Sequence, residues 1–159
     1  DTILGEALKD CGNAVFVDLH SGVGAWGEAY VMAAGDDASK TRIRGWLGDI
    51  VHEIDLPMTP PALSTLAAFA PPGGFAAAII EGGTVTFDDA FRDVMWLEMH
   101  HHLYGDPLSA EAMANKAKFA GYYDPRSDEW RRTFWGNIQP VLKTLAEKLE
   151  AWPAAKEHA

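Results

Sequence analysis

The sequence predicts an α/β fold, a partial three-layer arrangement of one sheet with flanking helices, and three observations predict it. Two short apolar runs, AVFVDL at residues 14–19 and FAAAII at 75–80, are bounded by turn-forming residues and read as buried strands. Segments with apolar residues at helical spacing precede the first run and follow the second. The 159 residues are 48% apolar, enough for the core of one domain, so residues 1–159 are expected to be a single domain or part of one.

Taken in order, residues 2–10 carry Ile3, Leu4, Ala7 and Leu8 at helical spacing, and Gly12 and Asn13 supply the stop. The strand at 14–19 follows, with His20 at its C-terminal end. Residues 28–34 read as a second strand. Residues 39–49 read as a short helix with Ser39 as its cap and Ile43, Trp46 and Leu47 on one face. Pro57, Pro60, Pro61, Pro71 and Pro72 then exclude continuous helix or central strand. The strand at 75–80 delivers Glu81 at its end. Thr86 and Asp89 form a capping-box-like start to a helix reaching about Tyr104, with Phe87, Phe91, Val94, Met95 and Met99 on its apolar face. Residues 109–120 predict another helix. Residues 127–152 predict a last, long one that Pro140 kinks, with Trp130, Phe134, Ile138, Val141, Leu142, Leu145 and Leu149 in register.

Charge narrows the function. A net charge of -10 leaves too few clustered cations to neutralise phosphates, so no nucleic-acid partner is expected. No apolar run approaches the roughly 18 residues that span a bilayer, and the opening residues show no basic stretch followed by an apolar one. The expectation is a soluble, cytoplasmic protein with no membrane partner. The single cysteine, Cys11, allows no intrachain disulfide.

The stretch VDLHSGVGAWG, residues 17–27, supports two readings. Gly22, Gly24 and Gly27 match the G-x-G-x-x-G of a dinucleotide-binding turn. That turn must follow an apolar strand directly and open a helix, with an acidic residue about 20 positions on at the next strand end. Here the polar His20 and Ser21 intervene, and TRIRGWLGD looks helical where that strand should end. The other reading turns on Asp18 and His20, which share a strand face where α/β sheets hold their sites. Asp18 then orients a metal-binding imidazole or simply forms a turn, and His20 is a ligand or a hydrogen-bonded structural histidine.

These residues resemble a known group. DLHSGVGAWGE is similar to the D-L-H-[ST]-G-[LV]-G-x-x-G segment of a bacterial branch of the carboxypeptidase A-like zinc peptidase superfamily. IIEGGTVTFDDAFRDVMWLEMHHH is similar to that branch's E-[FY]-G-T segment and the W-L-x-x-H-H helix after it. YYDPRSDEWRR resembles its turn into the last helix. The resemblance implies the C-terminal half of such a hydrolase domain, with His20 as one zinc ligand and Glu81 as the general base that takes a proton from water. It also implies amide hydrolysis of a small peptide or an acylated amino acid. Two departures stand out. Gly82 replaces the aromatic residue after the glutamate, and no His-x-x-Glu zinc-binding pair occurs anywhere in the sequence. Zinc is therefore expected only with ligands from outside this chain, which alone is expected to be inactive. The start at Asp1 fits a truncated chain, and a missing N-terminal half would leave a sheet edge open to self-association.

Other candidates carry competing readings. His100, His101 and His102 point about 100° apart on a helix and cannot chelate one ion together. Glu98 and His102, at i and i+4, are a buried hydrogen-bonded pair, a pocket-lining pair or a second metal site. His52 and Glu53 sit in an expected loop, at the site or on the surface. Arg92 and Arg126 meet a substrate carboxylate or lie solvated. The alternative to an enzyme is a non-catalytic binding module on the same half-fold, with nucleotide binding by GVGAWG as a third reading.

Overall fold

The computed structural model describes residues 3–8, 10–52, 67, 68, 70, 73–86 and 89–153. The five loop prolines, Glu53 and Phe87 lie outside them, as does the Asp89 side chain. Strands β1 (Ala14–Val23), β2 (Ala29–Ala34), β3 (Val51–His52) and β4 (Phe75–Val85) form one sheet in the order β1-β4-β2-β3. The helices are α1 (Ile3–Leu8), α2 (Asp37–Leu47), α3 (Asp89–Tyr104), α4 (Ala110–Tyr123) and α5 (Asp128–Ala151), and the α/β class expected from sequence is the one observed. Among the described residues no helix is long and apolar enough to cross a membrane.

The chain divides into two compact units. The first comprises residues 1–19, 31–80 and 138–159, and the second residues 20–30 and 81–137. Three strands pass from one unit into the other.

The first unit holds most of the buried core. Ala76, Ala77, Ala78 and Ile80 of β4 are fully buried, as are Val31 of β2 and Ile43 of α2. A strand covered on both faces has no need of alternation, which is why this stretch reads as a continuous apolar run. Ser39 is the one buried polar residue among those described, and it is not the cap of α2. Asp36 is the cap, its carboxylate accepting from the Ser39 backbone N–H at 2.8 Å. The Ser39 hydroxyl instead donates to the Ala34 carbonyl at 2.6 Å and accepts from the Ala77 N–H at 2.9 Å. It thereby joins α2 to β2 and β4. Beyond α2 a 3-10 turn, Gly48–Ile50, leads into β3, where sequence predicts a loop. Val51 and His52 pair in parallel with Val31 and Met32, so strand pairing overrides the weak local signal.

The far end of α5 belongs to this unit and buries Ile138, Val141 and Leu145. Pro140 lies inside α5 without ending it. Its ring faces the carbonyl of residue i−4, which is the exposed Gly136, so water can satisfy the freed acceptor. Trp152 meets Trp46 edge to face at 5.2 Å, and the Arg42 guanidinium lies 4.0 Å from its ring centre.

In the second unit α3 packs against α4. Phe91 stacks near Phe119 and Tyr122, while the Asn115 amide donates to the Val94 carbonyl at 3.1 Å and to Glu98 at 3.2 Å. Ser109 caps α4, accepting from the Ala112 N–H.

Candidate functional site

Both candidate residues lie in the second unit, inside strands and not at their ends. Sequence ends the first strand at Leu19, because His20 and Ser21 are polar. β1 continues to Val23, since backbone partners decide where a strand stops. Gly24 N–H, one residue past β1, donates to the carbonyl of Val85, the last residue of β4, at 3.0 Å, and the Thr84 hydroxyl reaches the Gly22 carbonyl at 3.0 Å. The same reasoning carries β4 past Ile80 to Val85, placing Glu81 at mid-strand.

Because β1 and β4 are neighbours in the sheet, His20 and Glu81 come together. His20 Nδ1 lies 3.7 Å from Glu81 Oε1, with the histidine side chain half exposed and the glutamate only 17% exposed. The imidazole is thus open to an incoming group, and the carboxylate is held beside it under partial cover.

The surrounding backbone fixes the pair. Gly22 has φ of 151° and no side chain, and a Cβ there would contact the Tyr123 ring at 3.4 Å and the Glu81 carboxylate at 3.8 Å. The Ser21 hydroxyl donates to the Tyr123 carbonyl, and the Thr84 hydroxyl contacts the Tyr122 carbonyl. The end of α4 is therefore tied to Ser21, next to His20 on β1, and to Thr84, three residues beyond Glu81 on β4.

On the other side of Glu81 the strand gives way to aromatic rings. Trp130 and Phe134 stack at 5.2 Å between centres, and Trp130 Nε1–H donates to the Gly83 carbonyl at 2.7 Å. A Cβ on Gly82 would lie 2.8 Å from Trp130 and 3.1 Å from Phe134. The aromatic expected after the glutamate is thus replaced in space by two rings from α5. Sequence periodicity assigns these rings to the core and misses this role. The signal that points to it is the Gly82-Gly83 pair, since glycine within a strand marks a close approach.

The glycine-rich turn serves the sheet. Gly83 exchanges hydrogen bonds with Gly27 N–H at 2.7 Å and the Glu28 carbonyl at 2.9 Å, and a Cβ on Gly83 would overlap the Ala25 carbonyl. GVGAWG connects β1 to β2, so no helix begins at this turn and the dinucleotide arrangement is not formed.

The remaining candidates are dispersed. Asp18 is half buried on β1, two residues before His20, and belongs to the first unit, as does His52. Glu98 faces α4, bonded to Asn115 and 3.7 Å from Lys116 Nζ, while His102 is exposed near the end of α3. Arg92 is exposed. Arg126 adopts φ of 49° and is held by Asp124, whose carboxylate accepts from its backbone N–H and, at 3.1 Å, from Nε. Among the described residues no group of three or more His, Cys, Asp or Glu side chains is placed to hold a metal ion.

A sheet that brings one histidine and one glutamate together on neighbouring strands defines an α/β protein with a compact two-residue candidate site. The chain belongs to the family described as protein of unknown function (DUF2817), whose model matches residues 1–137. No curated protein and no solved structure matches it.

Proposed function

We propose that this chain supplies one zinc ligand, His20, and the general base, Glu81, to a hydrolase that cleaves the amide bond of a small peptide or an acylated amino acid. The observation that carries the reading is the 3.7 Å approach of His20 Nδ1 to Glu81 Oε1 across two neighbouring strands. The motifs DLHSG and EGGT, which resemble those of the carboxypeptidase A-like zinc peptidases, bring these same two residues forward.

A catalytic zinc takes three protein ligands and keeps one position open. His20 fits one of the three, since its half-exposed ring leaves room for a metal shared with other groups. The other two would come from outside this chain. Once bound, the metal would supply a Lewis acid and an acidified water. Glu81 would take a proton from the attacking water on a carboxylate oxygen and pass it to the departing amide nitrogen as the C–N bond breaks. Its partial cover limits competing bulk water, and the ties from Ser21 and Thr84 to the end of α4 anchor the two strands that carry the pair.

Zinc titration followed on the ring resonances of the six histidines tests the ligand assignment. The expected result is weak binding that perturbs His20 most and whose strongest perturbation disappears in His20→Ala. An unmoved His20 ring while other histidines shift would refute its role. Tight one-to-one binding by this chain would refute the need for outside ligands.

A further inference from the structure

Helix α3 is apolar on two sides. Phe91 and Val94 are buried, and Glu98, on the same side, meets α4 through Asn115. On the opposite side Asp93, Trp96, Leu97, His100, Leu103 and Tyr104 recur at helical spacing and form one stripe. Its apolar members are open to solvent: Trp96 is 62% exposed, Leu97 45%, Leu103 60% and Tyr104 80%. Asp93, Trp96, Leu97 and His100 also line a shallow groove of about 510 Å³. Isolated exposed apolar residues are ordinary, but a contiguous stripe with two aromatics marks a contact surface.

We propose that this stripe is the interface of a homodimer. Two copies with a net charge of -10 each repel, so they approach best where charge is sparse. Among its six described members the stripe satisfies that condition, with one carboxylate, Asp93, and no lysine or arginine. The area suits a second copy as well. At about 200 Å² for a large side chain, the four apolar members expose on the order of 500 Å², and the exposed His100 and Asp93 raise this to about 600 Å². Two such faces cover about 1,200 Å², the lower edge of specific protein pairs.

The stripe is also self-complementary. An antiparallel two-fold pairing of α3 with its copy sets position 93 against 104 and position 97 against 100. The Asp93 carboxylate then accepts a hydrogen bond from a tyrosine hydroxyl, and Leu97 covers an imidazole ring. The one charge buried by the contact acquires a donor, as a buried carboxylate requires.

Sedimentation velocity on the full chain tests this. The expected mass doubles from 17.3 kDa as concentration rises through the micromolar range, and Leu97→Glu and Tyr104→Arg each abolish the doubling with the circular dichroism spectrum unchanged. A chain that stays monomeric throughout, its stripe then serving some other partner, would overturn the proposal. So would a dimer that persists in both variants.

Discussion

Replacing Gly82 with alanine puts a methyl group 2.8 Å from a ring carbon of Trp130 and 3.1 Å from Phe134, where van der Waals contact needs roughly 3.5 Å. The rings must yield, and they are poorly placed to do so. They stack on each other, and Trp130 is pinned by its bond to the Gly83 carbonyl. Overpacking of this kind costs about 1–3 kcal/mol, and dragging Trp130 off its acceptor forfeits about 1 kcal/mol more. The expected loss is therefore about 2–4 kcal/mol, read as a lower midpoint in urea unfolding followed by circular dichroism. Gly121→Ala in α4 is the control. Nothing lies within 4 Å of a Cβ there, and exchanging a helical glycine for alanine is expected to gain up to about 1 kcal/mol. Combining Gly82→Ala with Trp130→Leu should cost less than the sum of the two single changes, because the smaller side chain vacates the collision. A Gly82→Ala variant within about 0.5 kcal/mol of the parent would show that the rings do not rest on this glycine, and the account of how Glu81 is backed would fail.

Ser39→Ala leaves the Ala34 carbonyl and the Ala77 N–H without the hydroxyl that serves both in the core. A loss of about 2–3 kcal/mol in the same urea assay is expected, and a neutral result would mean that another group satisfies them. Thr84→Val keeps the shape of the side chain but removes its links to the Gly22 and Tyr122 carbonyls. About 1–2 kcal/mol should be lost, and amide exchange should quicken at the end of α4.

What the sequence reveals here depends on how local the cause is. The strand at FAAAII and the helices α3, α4 and α5 follow from periodicity, since each buries a face that neighbouring residues define. Their ends do not, because β1 and β4 extend as far as they find hydrogen-bond partners elsewhere in the chain. Ser39 shows the same limit. Its residue type suits a helix cap, yet Asp36, three positions earlier, takes that role and Ser39 works in the core. β3 is two residues long and exists only through its pairing with β2. Within the candidate site, His20 and Glu81 are legible from their motifs, whereas the ties from Tyr122 and Tyr123 and the rings of Trp130 and Phe134 arise from contacts made far along the chain.

The placement of His20 and Glu81 at mid-strand has a consequence for assembly. Side chains alternate along a strand, so sliding β1 by one residue against β4 would turn His20 to the opposite face of the sheet from Glu81. The two groups face one another in a single alignment, secured by the Gly24 to Val85 bond at the strand ends. A misaligned or half-formed sheet thus has no paired imidazole and carboxylate to offer, and the chemistry of the pair reports that pairing has finished correctly.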